Sequence, residues 1–308
     1  MKELLLSNGK TIPSLAYGTW LIKNEDAGKC VEIALRNGCR HIDTAQAYGN
    51  EVGVGEGIRA SGLPREEIYI TTKVMAEIKN YKKAKASIDE SLKKLGVDYI
   101  DLILIHCPQP WILFRGPKKF YKENVEVWRA LEEAYKEGKV RAIGVSNFYA
   151  DRLADICLFE RKVIPAVNQI ETNPINARYK DQEVAEKYGT HIMAWAPFGE
   201  GKNNMFTNPT LVEIGNKYNK SAAQVILRWL IQRGVIIACK STHLERIQQN
   251  FEVFDFELTN EDMEAIKGLD TGDSLFFNHQ DPNMVEWFDG MVKTRREQQD
   301  VTKEKKNL

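Results

Sequence analysis

The sequence predicts an α/β fold: a single (β/α)8 TIM barrel with an N-terminal β-hairpin and long loops at the C-terminal face. Three observations carry this: eight short apolar runs, amphipathic stretches between them, and no linker or low-complexity segment dividing the 308 residues. Strands that are apolar along their whole length are buried on both faces, as in parallel sheets covered by helices. Eight such units suit a closed barrel better than an open sheet.

"ELLLSNGKTIP" opens the chain with two short runs around Asn8-Gly9, a strong hairpin signal because both residues tolerate positive φ. The eight strands are "LAYGTW", "RHIDTA", "EIYITTKV", "YIDLILIH", "VRAIGVSN", "PAVNQIE", "HIMAWAP" and "VIIACKS". Between them, "NEDAGKCVEIALRNG", "YKKAKASIDESLKKLG", "ENVEVWRALEEAYKEGK" and "ADRLADICLFERK" read as helices, several with an N-cap residue before them or a glycine after them. Residues 107–120 and 270–288 are too rich in Pro, Gly, Asp and aromatics for plain connections, and long loops in compact domains tend to be functional. The barrel is expected to occupy residues 1–290, with 291–308 a polar tail.

The chain carries 43 basic and 43 acidic side chains, so no global field favours nucleic acid or an anionic membrane surface. Five scattered cysteines without C-x-x-C spacing argue against a disulfide framework or a zinc cluster. The N-terminus has only three consecutive apolar residues, and no run reaches the roughly 18 that a membrane span needs. These readings predict a soluble cytoplasmic protein, a monomer or weak homo-oligomer, with no nucleic-acid or membrane partner.

In such barrels the reacting groups cluster at the C-terminal ends of the strands. The second strand supplies Asp43 and its loop Tyr48, the third ends at Lys73, and the fourth ends at His106. Singly, each also suits a structural role: a helix cap, loop packing, a solvated amine, a satisfied backbone group. Together they form a device. A buried carboxylate needs a cation; Asp43 holds Lys73, and an ammonium beside a phenol favours the phenolate. A phenol of pKa about 10 thereby becomes a general acid able to protonate a carbonyl oxygen, which His106 orients.

An acid alone does not reduce a carbonyl, so a cofactor site is expected. The eighth strand runs into "CKSTHLERIQQN", and loops after the last two strands, with a helix N-terminus, form the usual phosphate site of this architecture. Ser241 and Thr242 are expected as N-caps, with Arg246 on the same side and Lys240 beside them. Two cations and two hydroxyls suit a phosphate monoester such as the 2′-phosphate of NADPH; a capped helix with solvated cations is the structural alternative. Ser146, Asn147 and Gln169 end strands five and six, where neutral donors and acceptors suit a carboxamide, a turn or the core. Trp195 offers a stacking face or core packing. "GVGEGI", residues 53–58, lacks the spacing and setting of a Rossmann glycine motif.

These residues, in this order from the hairpin to about residue 280, make the sequence resemble the aldo-keto reductase superfamily. The resemblance implies an NADPH-dependent carbonyl reductase with the tetrad Asp43, Tyr48, Lys73 and His106. It places carboxamide contacts at Ser146, Asn147 and Gln169, and nicotinamide stacking at Trp195. Contacts to the 2′-phosphate and adenine fall at Lys240, Ser241, Thr242, Arg246, Gln249 and Asn250, and Gly18, Thr19 and Trp20 line the mouth. "HCPQPW" and "FFNHQDP" look like the bacterial branch that includes diketogluconate and methylglyoxal reductases. The sequence departs from the commoner pattern at Cys107, at the Trp195-Ala196 pair and at Cys239. Trp20, Trp111, Phe276 and Phe277, together with Tyr48 and His106, are expected to wall a pocket for a small-molecule carbonyl, sugar-derived or dicarbonyl. Two other readings compete: a metal-dependent barrel hydrolase or isomerase using His41, Asp43, His106 and His191, and a barrel that binds NADPH as a sensor or subunit without turnover.

Overall fold

Eight parallel strands close on themselves in the order predicted by the apolar runs. The structure, a computed structural model, describes residues 2–113, 118–158 and 162–276. Strands β1 (Glu3–Leu5) and β2 (Thr11–Pro13) form the antiparallel hairpin. The barrel begins with β3 (Leu15–Gly18), α1 (Asn24–Arg36), β4 (His41–Asp43), α2 (Glu51–Ser61), β5 (Tyr69–Val74) and α3 (Tyr81–Leu95). It continues with β6 (Leu102–Ile105), α4 (Tyr121–Lys136), β7 (Ile143–Ser146), α5 (Ala150–Leu158), β8 (Val167–Glu171) and α6 (Tyr179–Lys187). It ends with β9 (His191–Trp195), α7 (Pro209–Tyr218), α8 (Ala222–Gln232), β10 (Ile236–Cys239), α9 (Leu244–Phe251) and α10 (Asn260–Lys267). Strand β10 pairs with β3 and closes the ring.

Alternation along each strand builds two apolar layers. Leu102, Leu104, Val167, Met193 and Ile236 point into the barrel, where Leu6 and Ile12 of the hairpin plug the end opposite the site. Ile103, Ile105, Val145, Ile170 and Ile237 point outward against the helices, with Trp128 and Trp229. The Asn80 side chain caps α3, and capping boxes open α8 at Ser221 and α10 at Thr259. Residues 53–58 lie inside α2. There a Cβ at Gly53, Gly55 or Gly57 would come within 2.2–2.4 Å of Asn24, Leu95 or Gly28 carbonyl oxygen, so these glycines let α2 lie against its neighbouring helices.

Candidate active site

Asp43 ends β4 and Lys73 lies one residue before the end of β5, both facing inward. Lys73 is 0% exposed and Asp43 3%. The ammonium donates to Asp43 Oδ1 and Oδ2 at 3.0 and 2.8 Å, to Thr44 O at 2.8 Å and to Tyr48 Oη at 3.3 Å. Burial alone would pull the Lys73 pKa down, but the Asp43 charge, followed by Tyr48, reverses the direction and raises it. The cation therefore persists in a place that water does not reach. Tyr48 sits in a single 3-10 turn, Gln46–Tyr48, fixed by Gln46: its amide donates to Ser87 O and Ser91 Oγ of α3, and its carbonyl accepts from Met75 N.

His106 follows β6, with its ring 5.7 Å from that of Tyr48 and 5.8 Å from that of Trp111. Trp20 packs on the other side of Tyr48 at 4.9 Å. Thr19 donates from N and Oγ1 to Asp43 O, and Gly18 pairs with Asp43 across the first two barrel strands. The structure thus brings Asp43, Tyr48, Lys73 and His106 together, with Gly18, Thr19, Trp20 and Trp111 around them.

A second set of hydrogen bonds adjoins the first. Gln169 Nε2 donates to Asp43 Oδ1 at 2.8 Å, and Ser146 Oγ to Gln169 O at 2.9 Å. Asn147, with φ 61° in the left-handed region that asparagine tolerates, donates to His106 O and Ser146 Oγ and accepts from Trp195 Nε1. Phe276 meets the Trp195 ring at 5.2 Å. Phe277, the tail from residue 291 and the end of the barrel segment lie outside the described residues.

The expected anion cluster lies on the same rim, where β10 pairs with β3. Lys240, Thr242, Arg246 and Gln249 are exposed, while Ser241 and Asn250 are buried. Among the described residues neither Lys240 nor Arg246 enters an ion pair, so both charges face solvent uncommitted. One expectation needs correction. The N-cap of α9 is His243, not Ser241 or Thr242, because the Ser241 carbonyl is taken by the Tyr17 hydroxyl at 2.5 Å while its Oγ accepts from His243 N. Tyr17 is one residue that sequence reasoning missed. Another is Lys79, whose Nζ donates at 2.7 Å to the carbonyl of Cys107, next to His106. Neither bond had a local signal. Cys107 and Cys239 are buried, which pushes each thiol up to about 12 and makes it a packing group rather than a nucleophile.

The metal alternative disperses. His41 Nδ1 meets Pro13 O at the hairpin and Nε2 meets Thr71 Oγ1, while His191 Nε2 meets Leu5 O. Both histidines face the hairpin end, away from His106. Among the described residues no group of three or more His, Cys, Asp or Glu is placed to hold a metal ion, and no helix is long and apolar enough to cross a membrane.

Asp43, Lys73, Tyr48 and His106 share one rim of a closed parallel barrel, the plan of a (β/α)8 enzyme. The chain belongs to the Aldo/keto reductase family, whose match spans residues 14–271, and is an oxidoreductase. It is 45% identical over 267 residues to the 9,11-endoperoxide prostaglandin H2 reductase of Trypanosoma cruzi, covering 86% of this chain and 90% of that one. It is 43% identical to the glyoxal reductase of Bacillus subtilis, covering 86% of this chain and 91% of that one. Among solved structures, the aldo/keto reductase of Brucella melitensis superposes with a TM-score of 0.80 at 41% identity, over 87% of this chain and 98% of that one. The Bombyx mori aldo-keto reductase in complex with NADP superposes with a TM-score of 0.80 at 35% identity, over 90% of this chain and 95% of that one.

Proposed function

We propose that this protein reduces aldehydes and ketones of the dicarbonyl or sugar-derived kind to alcohols, with NADPH as cofactor and Tyr48 as general acid. One observation carries the reading: a buried ammonium bridges the Asp43 carboxylate and the Tyr48 hydroxyl, at 2.8 and 3.3 Å. Names among the relatives agree with it, since one is a glyoxal reductase and one solved neighbour holds NADP.

The donor set fits the cofactor. Lys240 and Arg246 supply uncommitted positive charge for a phosphate, with Ser241, Thr242, Gln249 and Asn250 around them. At the other end, Gln169 Oε1 accepts from no described residue, leaving an acceptor for a carboxamide beside Ser146 and Asn147, and Trp195 offers a ring face. Bound NADPH would supply the hydride. The chain's own residues do the remainder. His106 and Trp20 flank Tyr48 and fix where a carbonyl oxygen rests. As charge grows on that oxygen, Tyr48 Oη gives up its proton, and the phenolate left behind is held by Lys73. Asp43 keeps the ammonium charged and in place throughout. Trp20 and Trp111, packed on Tyr48 and His106, exclude water from the reacting atoms.

The test is consumption of NADPH with glyoxal, methylglyoxal and sugar-derived ketones, followed by nicotinamide absorbance. Tyr48→Phe should lose about 10² to 10⁴ in turnover yet bind NADPH with unchanged affinity. Unchanged turnover in that variant removes Tyr48 from the mechanism. A wild type that binds NADPH but turns over none of the panel favours the binding-module reading instead.

A further inference from the structure

Glu171 ends β8 two residues beyond Gln169 and therefore faces the barrel interior like it. It is 2% exposed and forms no ion pair with any described residue. A carboxylate so placed requires donors, and it draws most of them from a segment more than a hundred positions away. Ser274 Oγ donates to Glu171 Oε2 at 2.5 Å and Leu275 N to Oε1 at 3.0 Å, with Asn173 Nδ2 a longer third donor at 3.3 Å. A second clasp closes from the loop after β9, where Lys202 Nζ donates to Leu275 O at 3.1 Å and lies 4.0 Å from the centre of the Phe276 ring. The residue so delivered, Phe276, packs on Trp195, which in turn donates to the Asn147 that holds the His106 carbonyl.

We infer that Glu171 is a positioning residue for substrate selection: its carboxylate anchors Ser274 and Leu275 over the β8 rim and so sets Phe276 against Trp195 as one wall of the carbonyl pocket. The inference rests on the carbonyl-reductase reading above. Glu171 is buried and its carboxylate oxygens accept from protein donors, so its effect on substrate is expected to pass through Phe276. A wall that contacts ground state and transition state alike changes KM and leaves kcat nearly unmoved.

Four variants test it: Glu171→Ala, Ser274→Ala, Phe276→Ala and the double variant Glu171→Ala with Phe276→Ala. Steady-state kinetics use glyoxal, which barely reaches the wall, and phenylglyoxal, which fills it. KM for phenylglyoxal should rise about five- to fiftyfold in Glu171→Ala and in Phe276→Ala, with kcat within about threefold and a smaller rise in KM for glyoxal. The double variant should lie within about twofold of the larger single change, because one wall cannot be lost twice. Ser274→Ala, on a half-buried loop, should show a smaller rise of the same kind, and it carries the test if Glu171→Ala does not fold. Hydrogen exchange at the Leu275 amide reads the anchor without substrate and should speed up in both Glu171→Ala and Ser274→Ala. Multiplicative KM effects in the double variant, or an unchanged KM for phenylglyoxal in both anchor variants, overturn the inference, as does unaltered Leu275 exchange. Absence of turnover in the wild type strikes the functional reading alone, since the exchange measurement stands without it.

Discussion

Replacing Lys73 by methionine keeps the length of the side chain and removes its charge, and the structure allows the consequence to be sized. At the observed 3.3 Å between Nζ and Tyr48 Oη, an ammonium and a phenolate attract by about 5 kcal/mol at an effective dielectric near 20. The negative charge of Asp43 offsets part of that, leaving about 3–4 kcal/mol, equivalent to roughly 10² to 10³ in turnover. A second consequence falls on stability. Asp43, 3% exposed, would keep among the described residues only the Gln169 amide as a side-chain donor, and breaking a buried pair from one side costs about 3–5 kcal/mol. The experiment therefore pairs single-turnover NADPH oxidation with urea unfolding, on protein shown by circular dichroism and NADPH binding to be folded. NADPH affinity should change less than tenfold, because the exposed cations proposed to meet its phosphate are elsewhere. Turnover within threefold of wild type in the folded variant would refute the claim that Lys73 tunes Tyr48. A pH series adds a sign. The folded pKa of Lys73 is raised, so its stabilising contribution is complete below the unfolded value of about 10.5 and is lost as pH climbs through the folded one. Lys73→Met should therefore lose part of the alkaline sensitivity of the wild type.

Two further outcomes are expected. Burial lowers the His41 pKa from 6.5 to about 4, so between those values the unfolded chain binds a proton that the folded chain refuses, and stability falls on acidification by about 3 kcal/mol. In His41→Gln the stability difference from wild type should shrink by that amount between pH 7 and pH 4, measured by urea unfolding; a constant difference would contradict it. Arg246→Ala should weaken NADPH binding by about 10- to 100-fold through loss of a charge-assisted phosphate contact and leave NADH binding unchanged. Equal losses for both cofactors would place the 2′-phosphate elsewhere.

The barrel was legible because parallel strands buried on both faces leave apolar runs that need no partner to be recognised. The meeting of Asp43, Lys73 and His106 at one rim was legible for a related reason: a polar residue at the end of such a run has few places to go but the rim. What escaped depends on distance in sequence. The α9 cap moved from Ser241 to His243 because Tyr17, 224 residues earlier, takes the Ser241 carbonyl. Helix α2 was unreadable from its own residues, since three glycines in seven positions depress helix propensity and only the close approach of α1 and α3 makes them useful. Glu171 looked like the last letter of an apolar strand, and two of its three donors lie 103 and 104 residues on.

The two ends of the barrel solve opposite problems with the same inward-facing positions. At the hairpin end, His41 and Thr71 satisfy one another and Pro13 O, and the His41 ring stays neutral because burial outweighs the raising effects of Pro13 O and the Asp43 charge. Two residues further along the same strands, Asp43 and Lys73 occupy the next inward layer and remain charged because each meets the other. One step of alternation thus separates a neutral layer that closes the barrel from a layer that holds a buried ion pair. The charged layer is satisfied without a carbonyl substrate, so its geometry is set by folding and little reorganisation is left to substrate binding. Substitutions in the lower layer should therefore register first in stability, and those in the upper layer in turnover as well, a separation that the His41 and Lys73 variants measure on adjacent rungs of one barrel.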